Sequence, residues 1–209
     1  MKNRILFVYT KDDDYWQKRY SAGERIFGDK PCALLVDHTQ LFNPGMSALC
    51  IADGEGRNSV WLAKQGLRVT AMDVAPAALA KTQAWAEKNG VTVETQCADV
   101  NDWLWQPDAF DFVICVYLQL PPEYRCRLHQ GMVKTCKAGG YIFIEAYHRE
   151  HLKTGLSGPK DIDFYYHEEL IRQDFSEFEI MLLQKNLTTV DENDPTQKGV
   201  CLEFVGRKP

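Results

Sequence analysis

Residues 47–73 carry a pattern that few folds accommodate. Leu49, Cys50 and Ile51 read as the end of a buried strand, and Ala52-Asp53-Gly54-Glu55-Gly56 follows as a turn. Gly54 and Gly56 permit a tight bend and close approach of backbone to a ligand. Ser59 to Lys64 reads as a helix, whose free N–H groups point at whatever fills the turn. Val69-Thr-Ala-Met-Asp73 is a second strand that ends in a carboxylate. A carboxylate at that place can accept both hydroxyls of a ribose, as in nucleotide-binding βαβ units.

The alternation continues. The first strand covers 47–51 and its helix 57–65, stopped by Gly66. The second strand covers 67–72, and the next helix starts at Pro76 and stops at Gly90. A third strand covers 91–96. Phe110–Tyr117 is a near-continuous apolar run, as expected of a strand buried on both faces. A third helix covers 122–136 with Leu128, Met132, Val133 and Cys136 on its core face, and Gly139-Gly140 end it. The fifth strand covers 141–146. Five strands joined by helices imply a parallel sheet with right-handed crossovers. The tail differs: after a loop at 148–162 and a short helix at 166–174, Glu179–Leu187 and Val200–Gly206 follow with no helix between them. They read as an antiparallel hairpin on the sheet edge, joined through Asp191–Pro195. The expected fold is therefore α/β, a Rossmann-like doubly wound sheet of seven strands, mostly parallel.

The 209 residues suit a single domain over 1–209, with 44–209 as the core. Residues 1–43 read as an arm plus one helix, with the acidic Asp12-Asp13-Asp14 and the aromatic-basic Tyr15–Tyr20. A net charge of −5 without a basic cluster argues against nucleic acid and anionic membrane. No apolar run approaches the ~18 residues of a membrane span. Ile5–Tyr9 is shorter than a signal peptide's apolar core, so a cytoplasmic location is expected. Seven cysteines without a Cys-x-x-Cys read as small buried hydrophobes and not as a metal site.

Six features in this order resemble one family. Glu55-Gly56-Arg57-Asn58 with Val60-Trp61-Leu62-Ala63 is similar to a Gly-Glu-Gly-Arg-Asn signature. Tyr15-Trp16…Arg19-Tyr20, Phe27-Gly28…Pro31, Leu120-Pro121…Arg125, Gly139-Gly140 and Gly158-Pro159 complete the pattern. Together with the layout, they resemble the class I S-adenosylmethionine-dependent methyltransferases, in the small branch of tellurite-resistance and thiopurine-methyltransferase-like proteins. The chain departs from that branch at Cys50, where an acidic residue is common, and at Ala52, the place of the first glycine. It departs again at Thr188-Thr189 and Gln197-Lys198-Gly199, where many relatives carry Glu-Arg and His-x-Gly.

The resemblance implies S-adenosyl-L-methionine as cofactor and no metal. Ala52, Asp53, Gly54 and Gly56 would line its methionine and ribose portion, and Asp73 the ribose hydroxyls; a helix cap is the plainer role for Asp73. Asp99 would accept the adenine amino group, and Val74 and Val100 would sandwich the ring. Cys115, Val116 and Tyr117 would present backbone carbonyls to the methionine ammonium and the sulfonium. Trp16 and Tyr20, at i and i+4 on one helix face, would lid the cofactor or staple the helix to the core. Arg19 would meet the methionine carboxylate or make an exposed ion pair. His148 and His151, with Glu145, follow strand five; a histidine there is a general base or a solvated loop residue. The expected activity is methyl transfer to a small acceptor, thiol-like or metalloid. The alternatives are a cofactor-binding protein without transferase activity, and a nucleotide-dependent oxidoreductase, which lacks its third glycine here.

Overall fold

The computed structural model describes residues 14–23, 25–189 and 196–209. The apolar run at 5–9, Asp12-Asp13 and the Asp191–Pro195 turn lie outside them. Six α-helices run in chain order among the described residues: α1 (Asp14–Ser21), α2 (Ala33–Val36), α3 (Arg57–Lys64), α4 (Pro76–Lys88), α5 (Pro122–Thr135) and α6 (Glu168–Asp174). The strands are β1 (Ser47–Ile51), β2 (Arg68–Asp73), β3 (Glu94–Cys97), β4 (Phe110–Val116), β5 (Cys136–Tyr147), β6 (Glu179–Thr189) and β7 (Lys198–Arg207). They form one sheet in the order β3-β2-β1-β4-β5-β7-β6. The first five strands pair in parallel; β7 pairs antiparallel with both β5 and β6.

Every side chain of β1 is buried, because helices cover both faces of the sheet. Leu49 and Ile51 point to one face, with Leu128 and Met132 of α5 and Ile171 of α6. Ala48 and Cys50 point to the other, with Leu34 and Leu35 of α2, Val60 and Leu62 of α3, and Ala86 of α4. The strand order reverses direction between β1 and β4, which opens a crevice at the carboxyl ends of the strands.

Four expectations need correction. The N-terminal region holds α1, α2 and a 3-10 turn at Thr39–Leu41, more than one helix. Strand three starts at Glu94, after residues that leave α4 as loop. Gly139-Gly140 do not end a helix: α5 stops at Thr135 and the chain enters β5 at once. A Cβ on Gly140 would lie 2.8 Å from the Asp111 carbonyl oxygen, so the glycine serves close strand approach at a bulge. Cysteine is also not uniformly buried, since Cys97 and Cys126 are exposed.

Candidate functional site

The turn after β1 brings the sequence candidates together. Ala52 has φ 50°, Gly54 φ 63° and Gly56 φ 83°. Glycine adopts such values freely; alanine adopts them at a cost. Tyr117, ending the neighbouring β4, has φ 59°. Strained non-glycine residues at the ends of two adjacent strands mark a place where geometry is imposed for function.

Asp73 closes the turn from β2. Its Oδ2 accepts from the Gly54 N–H at 2.9 Å and its Oδ1 from the Ala75 N–H at 2.9 Å. One oxygen braces Ala75, the residue that precedes α4, and the other braces the glycine turn. Burial raises its pKa, offset in part by those backbone donors. Asp99 follows the adjacent β3 and turns back on Asn101, accepting from its backbone and side-chain nitrogens at 2.7 Å. Val74 is 39% exposed, whereas Val100 packs on the core. Cys115 buries its side chain in the core, and its backbone lies in register with Ile51 of β1 and Ile144 of β5.

The Gly-Glu-Gly-Arg-Asn motif has a mechanical role that its sequence does not announce. Glu55 is buried; it accepts from the Ile26 N–H at 2.7 Å and pairs with Lys81 at 2.8 Å. Asn58 accepts from the Cys32 N–H at 2.9 Å, and Arg25 donates to the Glu55 carbonyl at 2.7 Å. Residues 25–32 are thus strapped across the turn. Tyr20 of α1 completes the cover: a Cβ on Gly54 would lie 2.8 Å from its hydroxyl oxygen. Trp16 stacks on Tyr20 at 5.6 Å, and Tyr20 packs with Ala75 and Ala78, which staples α1 to the start of α4.

Two buried polar atoms near this turn lack a hydrogen-bond partner, Arg19 Nε and Asp53 Oδ1. Buried polar groups are nearly always paired, so these two invite a ligand. One is a donor and the other an acceptor, the pair that a zwitterionic amino-acid group would satisfy. The other oxygen of Asp53 accepts from the Ser59 hydroxyl. Burial, with Asp73 adding repulsion, pushes the Asp53 carboxyl up to about 7. The folded state then holds this proton more tightly than the unfolded state does. Its contribution to stability is present at low pH and is lost as pH rises from ~4 through the folded pKa. Asp53→Asn should therefore gain on the wild type by about 1.4 kcal/mol per pH unit in that window, measured by urea unfolding. Parallel pH profiles for the two proteins would remove the assignment.

His148 and His151 are buried and are not the solvated loop residues of the second sequence reading. His148 caps the following 3-10 turn, accepting from the Glu150 N–H at 3.2 Å, and its Nε2 faces Glu168 at 3.3 Å. His151 stacks on Tyr147 at 4.0 Å. Its Nδ1 accepts from the Val200 N–H at 3.2 Å and its Nε2 donates to the Ser157 carbonyl at 3.0 Å. Burial lowers both pKa values.

The strand order, the glycine turn and Asp73 together form the candidate site. A methyltransferase-domain family model matches residues 48–140. A probable S-adenosyl-L-methionine-dependent methyltransferase, TehB of Haemophilus influenzae, is 24% identical over 201 residues, 95% of this chain and 66% of the relative. Over residues 48–140 the chain is similar to a methyltransferase domain, and along most of its length it is similar to a probable S-adenosyl-L-methionine-dependent methyltransferase. It spans about two thirds of the length of the TehB relative, 66%. The crystal structure of Haemophilus influenzae TehB superposes with TM-score 0.71 at 21% identity, covering 94% of this chain and 67% of that one. A structure from work on disulfide-to-thioacetal conversion in echinomycin biosynthesis gives TM-score 0.73 at 17% identity, covering 94% and 91%. Both likenesses concern the fold.

The residues present fit S-adenosylmethionine, the cofactor named for the TehB relative. A side chain on Gly54 would meet Tyr20, so the turn leaves room for backbone only; Asp73 sets a buried carboxylate against it, and Arg19 Nε and Asp53 Oδ1 offer a donor and an acceptor that an amino-acid group could satisfy.

Proposed function

We propose that the chain methylates a small-molecule acceptor, thiol-like or metalloid, with S-adenosylmethionine as donor. The observation that carries this reading is the internal roof: α1 and residues 25–32 are fastened over the glycine turn through Tyr20, Glu55 and Asn58. A site covered by short segments of its own chain suits an acceptor small enough to be enclosed. The net charge of −5 also disfavours polyanions.

When bound, the cofactor supplies an electrophilic methyl group on a sulfonium. The chain's residues hold and orient that group and exclude water. Trp16, Tyr20, Ala52, Asp53, Gly54, Gly56, Asp73, Val74, Asp99, Val100, Cys115 and Tyr117 are the proposed contacts. Acceptor choice belongs to the other side of the crevice. The β6–β7 hairpin reaches it, since Cys201 pairs with Tyr147 at the carboxyl end of β5 and residues 198–200 run beyond. Thr188 pairs with Gly199 and Thr189 with Lys198 at the tip, next to Gln197. If relatives of the tellurite-resistance branch use an arginine or histidine at this tip on substrate, this chain's acceptor or chemistry differs from theirs, or it methylates no substrate.

Incubation with methyl-labelled cofactor and separate RNA, DNA, protein and metabolite fractions tests the proposal. Label should enter the metabolite fraction. Label confined to a macromolecular fraction would overturn it, and binding of S-adenosylhomocysteine without any transfer would favour the non-enzymatic alternative.

A further inference from the structure

A second cluster lies at the carboxyl ends of β4 and β5, across the crevice from the adenine side. Glu145 is buried there, in register with Val116 of β4 and Glu203 of β7. Its Oε1 accepts from the Tyr117 hydroxyl at 2.5 Å and its Oε2 from the Cys32 thiol at 2.6 Å. Among the described residues no lysine, arginine or histidine pairs with it. A buried carboxylate with only neutral donors is costly and needs a reason.

Tyr117 supplies the connection to the reaction. Its left-handed backbone is held by an N–H donated to the Glu145 carbonyl at 2.7 Å. Its hydroxyl lies 3.4 Å from Cys201 Sγ, and the Arg57 guanidinium stands 5.9 Å from its ring centre. The histidines of this edge are committed elsewhere: His151 to Ser157 and Val200, His148 to Glu150 and Glu168. Burial holds the Cys32 and Cys201 thiols protonated, so neither is a base at neutral pH.

Resting on the transferase reading above, we infer that Glu145 is the general base for a protic acceptor, a thiol, reached through the Tyr117 hydroxyl. The acceptor's sulfur lone pair forms the new bond to the methyl carbon as the carbon–sulfonium bond breaks toward its sulfur. The thiol proton passes to the Tyr117 oxygen while the Tyr117 proton passes to Glu145 Oε1. Tyr117 ends unchanged and Glu145 ends as a neutral acid, which solvent then deprotonates. A metalloid anion, which carries no proton to lose, would need no such pair.

The test compares two thiol probes at neutral pH: 2-mercaptoethanol, almost wholly protonated, and thiophenol, largely ionised. Glu145→Gln and Tyr117→Phe should each slow methylation of 2-mercaptoethanol by about 100-fold or more, the low end of general-base contributions, and that of thiophenol by less than about tenfold. Affinity for S-adenosylhomocysteine, by calorimetry, should stay within about threefold in Glu145→Gln, because the substitution leaves the cradle intact. An optical readout needs no turnover. With S-adenosylhomocysteine bound, wild-type protein should suppress ionisation of 4-nitrophenol by about tenfold relative to Glu145→Gln, since a nearby carboxylate disfavours the phenolate. Equal slowing of both thiols, no slowing, or an unperturbed nitrophenol would overturn the proposal. So would failure of the wild type to methylate either thiol while it binds S-adenosylhomocysteine; failure to bind that ligand would instead overturn the transferase reading.

Discussion

Gly54→Val should abolish cofactor binding while leaving a folded protein. Two effects add at this position. At φ 63° a β-branched residue is strained, by about 1–2 kcal/mol for the left-handed backbone alone. Its Cβ would also lie 2.8 Å from the Tyr20 hydroxyl oxygen, with the next ring atom at 3.4 Å. The added carbons must displace either Tyr20 or the ligand. Affinity for S-adenosylhomocysteine should fall by at least about 100-fold, or about 2.7 kcal/mol. A thermal-shift assay reads both properties: the mutant keeps its own transition and loses the ligand-induced rise. A retained rise would sink the cradle. The clash has its own check, because Tyr20→Phe removes the atom at 2.8 Å and should restore part of the stability lost in Gly54→Ala.

The core of the fold was legible because it is written in local pattern. Strands buried on both faces, such as Leu49–Ile51 and Phe112–Cys115, can only read as apolar runs. Pro76 does open a helix, and the missing helix before Val200 does mark a hairpin. Gly139-Gly140 misled because glycine ends helices and also permits close strand approach; the deciding neighbour, the Asp111 carbonyl, belongs to another strand. The site divides in the same way. The turn and Asp73 lie within one βαβ unit, so spacing alone revealed them. Glu145 and Cys32 are 113 residues apart in sequence, and their contact exists only once α2 packs beside β5. The buried histidines escaped for a related reason: His151 is satisfied by Val200, 49 residues away, which no local signal reports.

The strap over the turn ties these two kinds of information together. Glu55 and Asn58 sit inside the legible motif, yet their partners Ile26 and Cys32 come from the N-terminal region. Cys32 then reaches Glu145 through its side chain. One short segment therefore touches both the glycine turn and the buried Glu145.

Asp73→Ala should cost both stability and nucleoside recognition. Removing the carboxylate leaves the Gly54 and Ala75 N–H groups without acceptors at a buried place. Two lost bonds of this kind predict a destabilisation of about 2–4 kcal/mol, measurable by urea unfolding. Cofactor affinity should fall by a further 1.5–3 kcal/mol or about that, the range for hydrogen bonds to a charged group. A bracing role alone would also weaken binding, by loosening the turn, so affinity for one ligand does not separate the two. The 2′,3′-dideoxy analogue of S-adenosylhomocysteine does. Wild-type protein should prefer the natural ligand, and Asp73→Ala should bind the two alike, because the group that distinguishes them has gone. Equal weakening toward both ligands, with the preference intact, would leave Asp73 as a brace and move the ribose contact elsewhere.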